Sequence, residues 1–339
     1  MSRTSSSWRL LALVSAAVFA SAAPLARFRD VEPHMGTLFS ITLYAPNADA
    51  ARAAFSAAFE RIRKLDEILS DYKQNGELMQ VCRSAHAAPV MVSPELFTVL
   101  EASERLSQAT DGAFDVTLGP VIRLWRQARI EKHLPNPEQL AAAARRCGYR
   151  NLVLDSAHRT VFLKLADMQL DLGAIAKGYA ADEALAVLRA HGITRALVAA
   201  SGDLAIGDAP PGQPGWRVGI DSLDTPGSKF TRVLVVHNIA VSTSGDTEQY
   251  LEVGGTRYSH IIDPKTNLGL TQRIAVTVVA SRGINADSLA TAASVLGVQR
   301  GLGLIDRRND AAALIVTRGP YGTRTQESKR FRILSTSGR

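Results

Sequence analysis

The sequence has little of what usually announces chemistry. Only two cysteines occur, Cys82 and Cys147, with no C-x-x-C and no metal-type spacing, which excludes a zinc ribbon or a thioredoxin-type redox centre. They leave two readings open: one disulfide in an oxidising compartment, or two buried thiols. G-x-x-x-x-G-K-[ST] is absent, so there is no P-loop. The net charge is +7, but it is spread along the chain without a Lys/Arg block, and no nucleic-acid footprint emerges. No internal repeat or low-complexity tract stands out. What remains is a chain of 339 residues, 46% hydrophobic and 21% charged, long enough to bury a sizeable globular core.

The N-terminus is more specific. "MSRTSSSWRLLALVSAAVFASAAP" carries Arg3 and Arg9, an apolar run from Leu10 to Ala20, and small residues at Ala20-Ser21-Ala22. That order is the pattern of a secretory signal, expected over residues 1–22, with a single domain of possibly two lobes over 23–339. The apolar run is short for a transmembrane helix, no cysteine near the cleavage site suggests a lipid anchor, and no twin-arginine pair is present. The expectation is an exported, periplasmic protein. An uncleaved N-terminal anchor is the alternative.

Periodicity predicts a strand in "MGTLFSITLYA" (35–45) and then a helix from about Asn47, where Phe55, Phe59, Ile62, Leu65 or Asp66, and Leu69 recur at helical spacing. Ser93-Pro94-Glu95 opens a second helix, a cap followed by proline in the first turn. "PNPEQLAAAARRCGYRN" predicts a short helix ending at Gly148, and "AIAKGYAADEALAVLRAHG" a longer one stopped by Gly192. "NLVLD", "TVFLK", "MQLDLG", "RALVAA", "WRVGI", "TRVLVVHNIAVST", "RYSHII", "RIAVTVVA" and "AAALIVT" read as strands, and "GDAPPGQPG" as a surface loop. Hairpin-like strands with helices grouped between them predict an α+β fold with mixed or antiparallel sheets.

Several stretches carry candidate chemistry beside a plainer reading. In "LDLGAIAKGYA" (170–180) a helix opens after Asp171 and a glycine. Its N-terminus and Lys177 could take an anion, or this is a turn with a solvated lysine. "SHIIDPKT" (259–266) sets His260 near Asp263. The histidine could move a proton or merely bond to its neighbours. "STSGDTEQY" (242–250) could wrap phosphate oxygens or be a turn. In "TDGAFDVTLGP" (110–120), Phe114 and Asp115 could contact a ring and its polar edge, or Phe114 could be core. In "NADSLATAAS" (285–294), at ~100° per residue, Leu289, Ala292, Ala293 and Leu296 share one helical face and Asp287, Thr291 and Ser294 the other. This predicts a surface helix with Asn285 or Asp287 as its cap, or two oxygen donors for a hard cation such as Mg²⁺.

The order of these stretches is more telling than any one of them. "MGT", "SDY…EL", "TDGAFDVTLGPVIRLW", "LDLGAIAKGYA", "STSGD", "HIIDPKT" and "NADSLATAASVLG" follow one another over nearly the whole chain after the signal. In this the sequence resembles the FAD:protein FMN transferase family, the ApbE type. The resemblance implies an enzyme that splits FAD, releases AMP, and attaches FMN to a threonine or serine hydroxyl of an exported or membrane-bound acceptor protein. FAD hydrolysis and a non-enzymatic flavin-binding protein are the rival readings. It also implies roles by position. Met35, Tyr72, Ala113, Phe114, Asp115, Asp171, Lys177 and Ile261 would contact FAD. The Ala174 carbonyl, Asp287 and Thr291 would hold Mg²⁺, and His260 would take the acceptor's proton. The sequence departs from the family at Gly76, where serine is common, at Ser201, in place of the first of two glycines, and at Asn267 and Leu270, where glycine and proline are more usual.

Overall fold

The computed structural model describes residues 24–220, 223, 232–245 and 249–336. The predicted signal, and Asp246, Thr247 and Glu248 of the "STSGDTEQY" stretch, lie outside the described residues.

An eight-stranded sheet runs through the molecule: β1 (Ala26–His34), β2 (Thr37–Ala45), β3 (Ala196–Ala200), β4 (Asp203–Ile206), β5 (Ile239–Gly245), β6 (Arg273–Ala280), β7 (Ala311–Gly319) and β8 (Gly322–Glu327). Each strand pairs antiparallel with the next in this order. Helices are inserted between strands rather than alternating with them, so the architecture is α+β. Side chains alternate across the sheet. Ile274, Val276, Val278 and Ala280 of β6 enter the main core, while Ala275 and Val279 enter a second core on the other face. Both faces are covered, which is why "RIAVTVVA" is almost continuously apolar.

The helices that shape the site are α1 (Ala48–Leu69), α2 (Gly119–Glu131), α3 (Ala176–Ala190) and α4 (Gly283–Asp306). Asn47 caps α1 by accepting from the Ala50 N–H at 2.8 Å, and Phe55, Phe59, Ile62, Leu65 and Leu69 are buried along one stripe, as their spacing predicts. Ser93 caps the helix Pro94–Ala109 in the same way. The periodicity reading passed over α2, although Val121, Trp125 and Ala128 recur at helical spacing and are buried. They form a small third core with Leu251 and Ile262, and Trp125 Nε1 donates to the Asn267 carbonyl at 2.9 Å. This third core faces the main sheet-and-helix body across a cleft.

Three local expectations need correction. "MQLDLG" is not a strand: its backbone is shared among unrelated partners, with one parallel bridge from Gln169 to Leu118 and bonds from Leu170 to Cys82 Sγ and from Asp171 to Val116 O. The helix in "PNPEQLAAAARRCGYRN" stops at Ala144, before a turn that reaches Gly148 at φ +121°. The third concerns α4. It is no surface helix, because Asp287, Ser288 and Ser294 are buried together with Leu289, Ala292 and Ala293. The two cysteines are free thiols, each with its own hydrogen bond.

Candidate active site

The site starts from a close crossing of α3 and α4. A Cβ on Gly178 would lie 2.2 Å from the Gly283 carbonyl oxygen, and one on Gly283 would lie 2.3 Å from that of Gly178. Only glycine at both positions lets the two backbones meet. The contact lets each helix cap the other. Asp182 of α3 accepts from the N–H groups of Gly283 and Ile284, at 2.6 and 3.1 Å. Asp287 of α4 accepts from the Gly178 N–H at 3.0 Å, inside the first turn of α3. Asp287 is therefore a cap, but of the neighbouring helix and not of its own. α4 begins at Gly283, and neither Asn285 nor Asp287 stands at its N-cap. An orphan donor that could have faced a phosphate at the start of α3 is already used by a carboxylate.

This places Asp287 beside Lys177. The ammonium lies 3.6 Å from Asp287 Oδ2, 3.3 Å from Asp203 Oδ2 and 2.5 Å from the Gly173 carbonyl. Its side chain is 22% exposed, against 5% for Asp287 and 7% for Asp203. Lys177 is thus a bridge between two buried carboxylates and not a solvated lysine. Burial pushes the Asp287 carboxyl up to about 7, the Asp203 charge adds to the rise, and Lys177 opposes it. Burial alone would lower the lysine's pKa, but the two aspartates more than reverse this and hold it above its ordinary value. Hydroxyls complete the inner end. Ser242 donates to Asp203 Oδ1 at 2.5 Å, and Ser244 and Thr291 lie 3.4 Å apart, oxygen to oxygen. All these donor side chains, Lys177 apart, carry oxygen. Among the described residues no group of three His, Cys, Asp or Glu side chains could hold a metal. A soft-metal centre does not fit the inner end. A hard cation does, because it would relieve the repulsion between Asp203 and Asp287 that one lysine offsets only in part.

The outer wall is built from turns and α2. Met35 sits at φ +50° in the β1–β2 turn. Arg126 of α2 pairs with Asp71 and with Asp171 Oδ2, the latter at 2.6 Å, and its guanidinium lies 4.7 Å from the centre of the Tyr72 ring. Burial and the nearby Asp171 charge raise the Asp71 carboxyl, and Arg126 opposes them. Arg129, one turn further along α2, also faces the cleft, and burial and the Arg126 charge lower its pKa. His260 holds the Gln249 carbonyl 3.1 Å from Nδ1. In the neutral ring this makes Nδ1 the donor.

Every sequence-predicted site residue lines one cavity of about 460 Å³: Met35, Tyr72, Ala113, Phe114, Asp115, Asp171, Ala174, Lys177, His260, Ile261, Asp287 and Thr291. Some reach it less than expected. Phe114 is 3% exposed and belongs mostly to the core. The Asp115 carboxylate turns inward, accepting from the Thr117 N–H and hydroxyl and from the Tyr149 N–H. Ile261 is 6% exposed. Periodicity and motif reading passed over Asp71, Arg126 and Asp203 as site residues. Arg126 directly follows "TDGAFDVTLGPVIRLW", and Asp203 lies inside "AASGDLAIG", so adjacency was the available signal. Two departures from the family pattern fall at left-handed backbone, Ser201 at φ +56° and Asn267 at φ +59°. Asparagine tolerates that region better than serine does.

Known proteins resemble this chain over most of its length. A family model described as the ApbE family matches residues 35–315. The FAD:protein FMN transferase of Treponema pallidum is 34% identical, over 83% of this chain and 82% of its own. That of Salmonella typhimurium is 32% identical, over 89% and 88%. Among solved structures, the flavin transferase ApbE from Vibrio cholerae superposes with a TM-score of 0.83 at 27% identity, covering 91% of this chain and 99% of its own. The apo form of the Pseudomonas stutzeri flavinyl transferase ApbE gives 0.81 at 29% identity, covering 93% and 99%.

Proposed function

The chain belongs to the ApbE family, and from that premise we propose that it is a Mg²⁺-dependent FAD:protein FMN transferase acting on a serine or threonine hydroxyl after export. The observation that carries the proposal is the charged inner end of the cleft, Lys177 between Asp203 and Asp287, below a cavity of about 460 Å³. Export is supported by the signal pattern of residues 1–22.

In the reaction, the bond between the FMN phosphorus and the bridging oxygen of FAD breaks, and AMP leaves with that oxygen. The acceptor hydroxyl oxygen forms the new phosphoester. Phosphoryl transfer asks mainly for positioning and charge stabilisation. Lys177 is held by its aspartates on the cleft wall, where an ammonium attracts the pyrophosphate oxygens without a search through rotamers. His260, on the cleft wall, takes the acceptor's proton. Asp287, Thr291 and the Ala174 carbonyl would hold Mg²⁺. Bound there, the ion would supply Lewis-acid neutralisation of the pyrophosphate charge.

The test is incubation of the mature protein with FAD, Mg²⁺ and candidate exported acceptors, followed by electrophoresis and in-gel flavin fluorescence. Fluorescence that stays with a denatured acceptor is the expected result. AMP and free FMN without it would make the protein a hydrolase, and intact FAD would make it a carrier. A parallel reaction in EDTA should give no product, and full product there would remove Mg²⁺ from the proposal.

A further inference from the structure

Arg126 joins three segments far apart in the chain. One terminal nitrogen pairs with Asp71, just past the end of α1, and the other with Asp171 Oδ2, ahead of α3. The guanidinium also covers one face of Tyr72, 4.7 Å from the ring centre. The ring touches Gly36 as well, so closely that a Cβ there would lie 3.4 Å from Tyr72 Cε2. Tyr72 is 60% exposed. Burial therefore does not fix the ring; its contacts with Gly36 and Arg126 do. The two carboxylates repel each other, and Asp71 is raised in part by Asp171. Without a cation between them, the segment bearing Asp71 and Tyr72 and the segment bearing Asp171 would be pushed apart. Tyr72, Asp171 and Arg126 all line the cavity.

We propose that Arg126 is a positioning residue that presets the FAD-binding wall, holding Tyr72 and Asp171 at a fixed separation before the dinucleotide enters. The proposal rests on the flavin-transferase reading. It also depends on the shape of arginine. A planar fork reaches two carboxylates through different nitrogens and still lies flat on a ring. A lysine ammonium has the charge but neither the fork nor the face. Most of the affinity gained by such a preset wall is ordering that FAD no longer has to impose.

The test uses the mature protein and two readouts, FAD affinity by flavin fluorescence without acceptor and steady-state transfer with it. Arg126→Gln should weaken FAD binding about tenfold or more. It should raise KM for FAD in parallel and leave kcat at saturating FAD within about threefold. Arg126→Lys, which keeps a charge between the carboxylates and so protects the fold, should recover thermal stability but not FAD affinity. Tyr72→Ala should also weaken FAD, and the double variant should bind no worse than the weaker single variant, because both changes remove the same wall. The proposal is overturned by wild-type FAD affinity in Arg126→Gln, by full rescue with lysine, or by additive losses in the double variant. Binding of FAD without transfer in the wild type would instead overturn the flavin-transferase reading, while the affinity series would still decide the role of Arg126.

Discussion

The two ends of the cleft are built on different principles. The inner end stands on regular structure: Lys177 on α3, Asp203 on β4, Ser242 and Ser244 on β5, Asp287 and Thr291 on α4. Its carboxylates are buried and in contact with one ammonium. The outer end stands mostly on turns, with Met35, Tyr72, Asp171 and His260 between elements and Arg126 and Arg129 on α2. Its aromatic anchor is exposed. Losing one partner of a buried charge cluster leaves an uncompensated charge, at a cost of about 3–5 kcal/mol. Losing an exposed contact costs far less, about 0–1 kcal/mol for a surface ion pair. The inner end thus couples chemistry to stability throughout, whereas at the outer end only the Arg126 pairs with Asp71 and the buried Asp171 do so, and the exposed Tyr72 can tune affinity with the fold intact.

Variants can break this contrast. The largest effect is expected from Asp287→Ala, which removes the proposed metal carboxylate and the cap on Gly178. AMP release should fall by at least about 10²-fold, and thermal melting should show a clear loss of stability as well. Normal turnover with Mg²⁺ would remove Asp287 from the site. His260→Ala comes next, with transfer slowed about 10²-fold or more while FAD affinity and melting stay near wild type. Equal losses in transfer and binding would make His260 a binding residue and blur the division between the ends. Gly178→Ala touches no substrate, yet it drives a methyl group into the Gly283 carbonyl. A loss of about 1–3 kcal/mol in denaturant unfolding is expected, with lower activity as the α3–α4 crossing opens.

The smallest effect is a dependence on pH. Asp287 is raised in the fold to about 7 from its ordinary value of 3.8. Between those values the folded protein holds a proton that the unfolded chain has released. Stability from this group is therefore full below the lower value and is lost as pH rises through the upper one. Metal-free protein should show this decline in urea titrations. Asp287→Asn should flatten it, and an unchanged slope in that variant would assign the decline to another group.

Much of this molecule was legible in local sequence. Asn47 and Ser93 announced their helices, because a cap needs only the next turn of chain. The stripe from Phe55 to Leu69 announced the buried face of α1, because helical pitch is local. α4 misled for the same reason. Its polar residues have the spacing of a solvated face, and periodicity has no means of showing that a second helix covers it. Asp203 and Arg126 were not legible, since their partners lie far off in the chain, at Lys177 and Ser242 and at Asp71 and Asp171.

By itself the sequence determined the starts of α1 and of the helix from Pro94, much of the strand alternation, the α+β class and the ordered motifs that join this chain to its family. Each of these is written in neighbouring residues or in their order. Tertiary structure alone decided that Asp287 caps another helix, that Lys177 is spent on two carboxylates, and that Arg126 clasps two turns across the cleft. The physical reason lies in Gly178 and Gly283. Two backbones can touch only where both side chains are absent, and that contact, between residues more than a hundred positions apart, determines which charges meet.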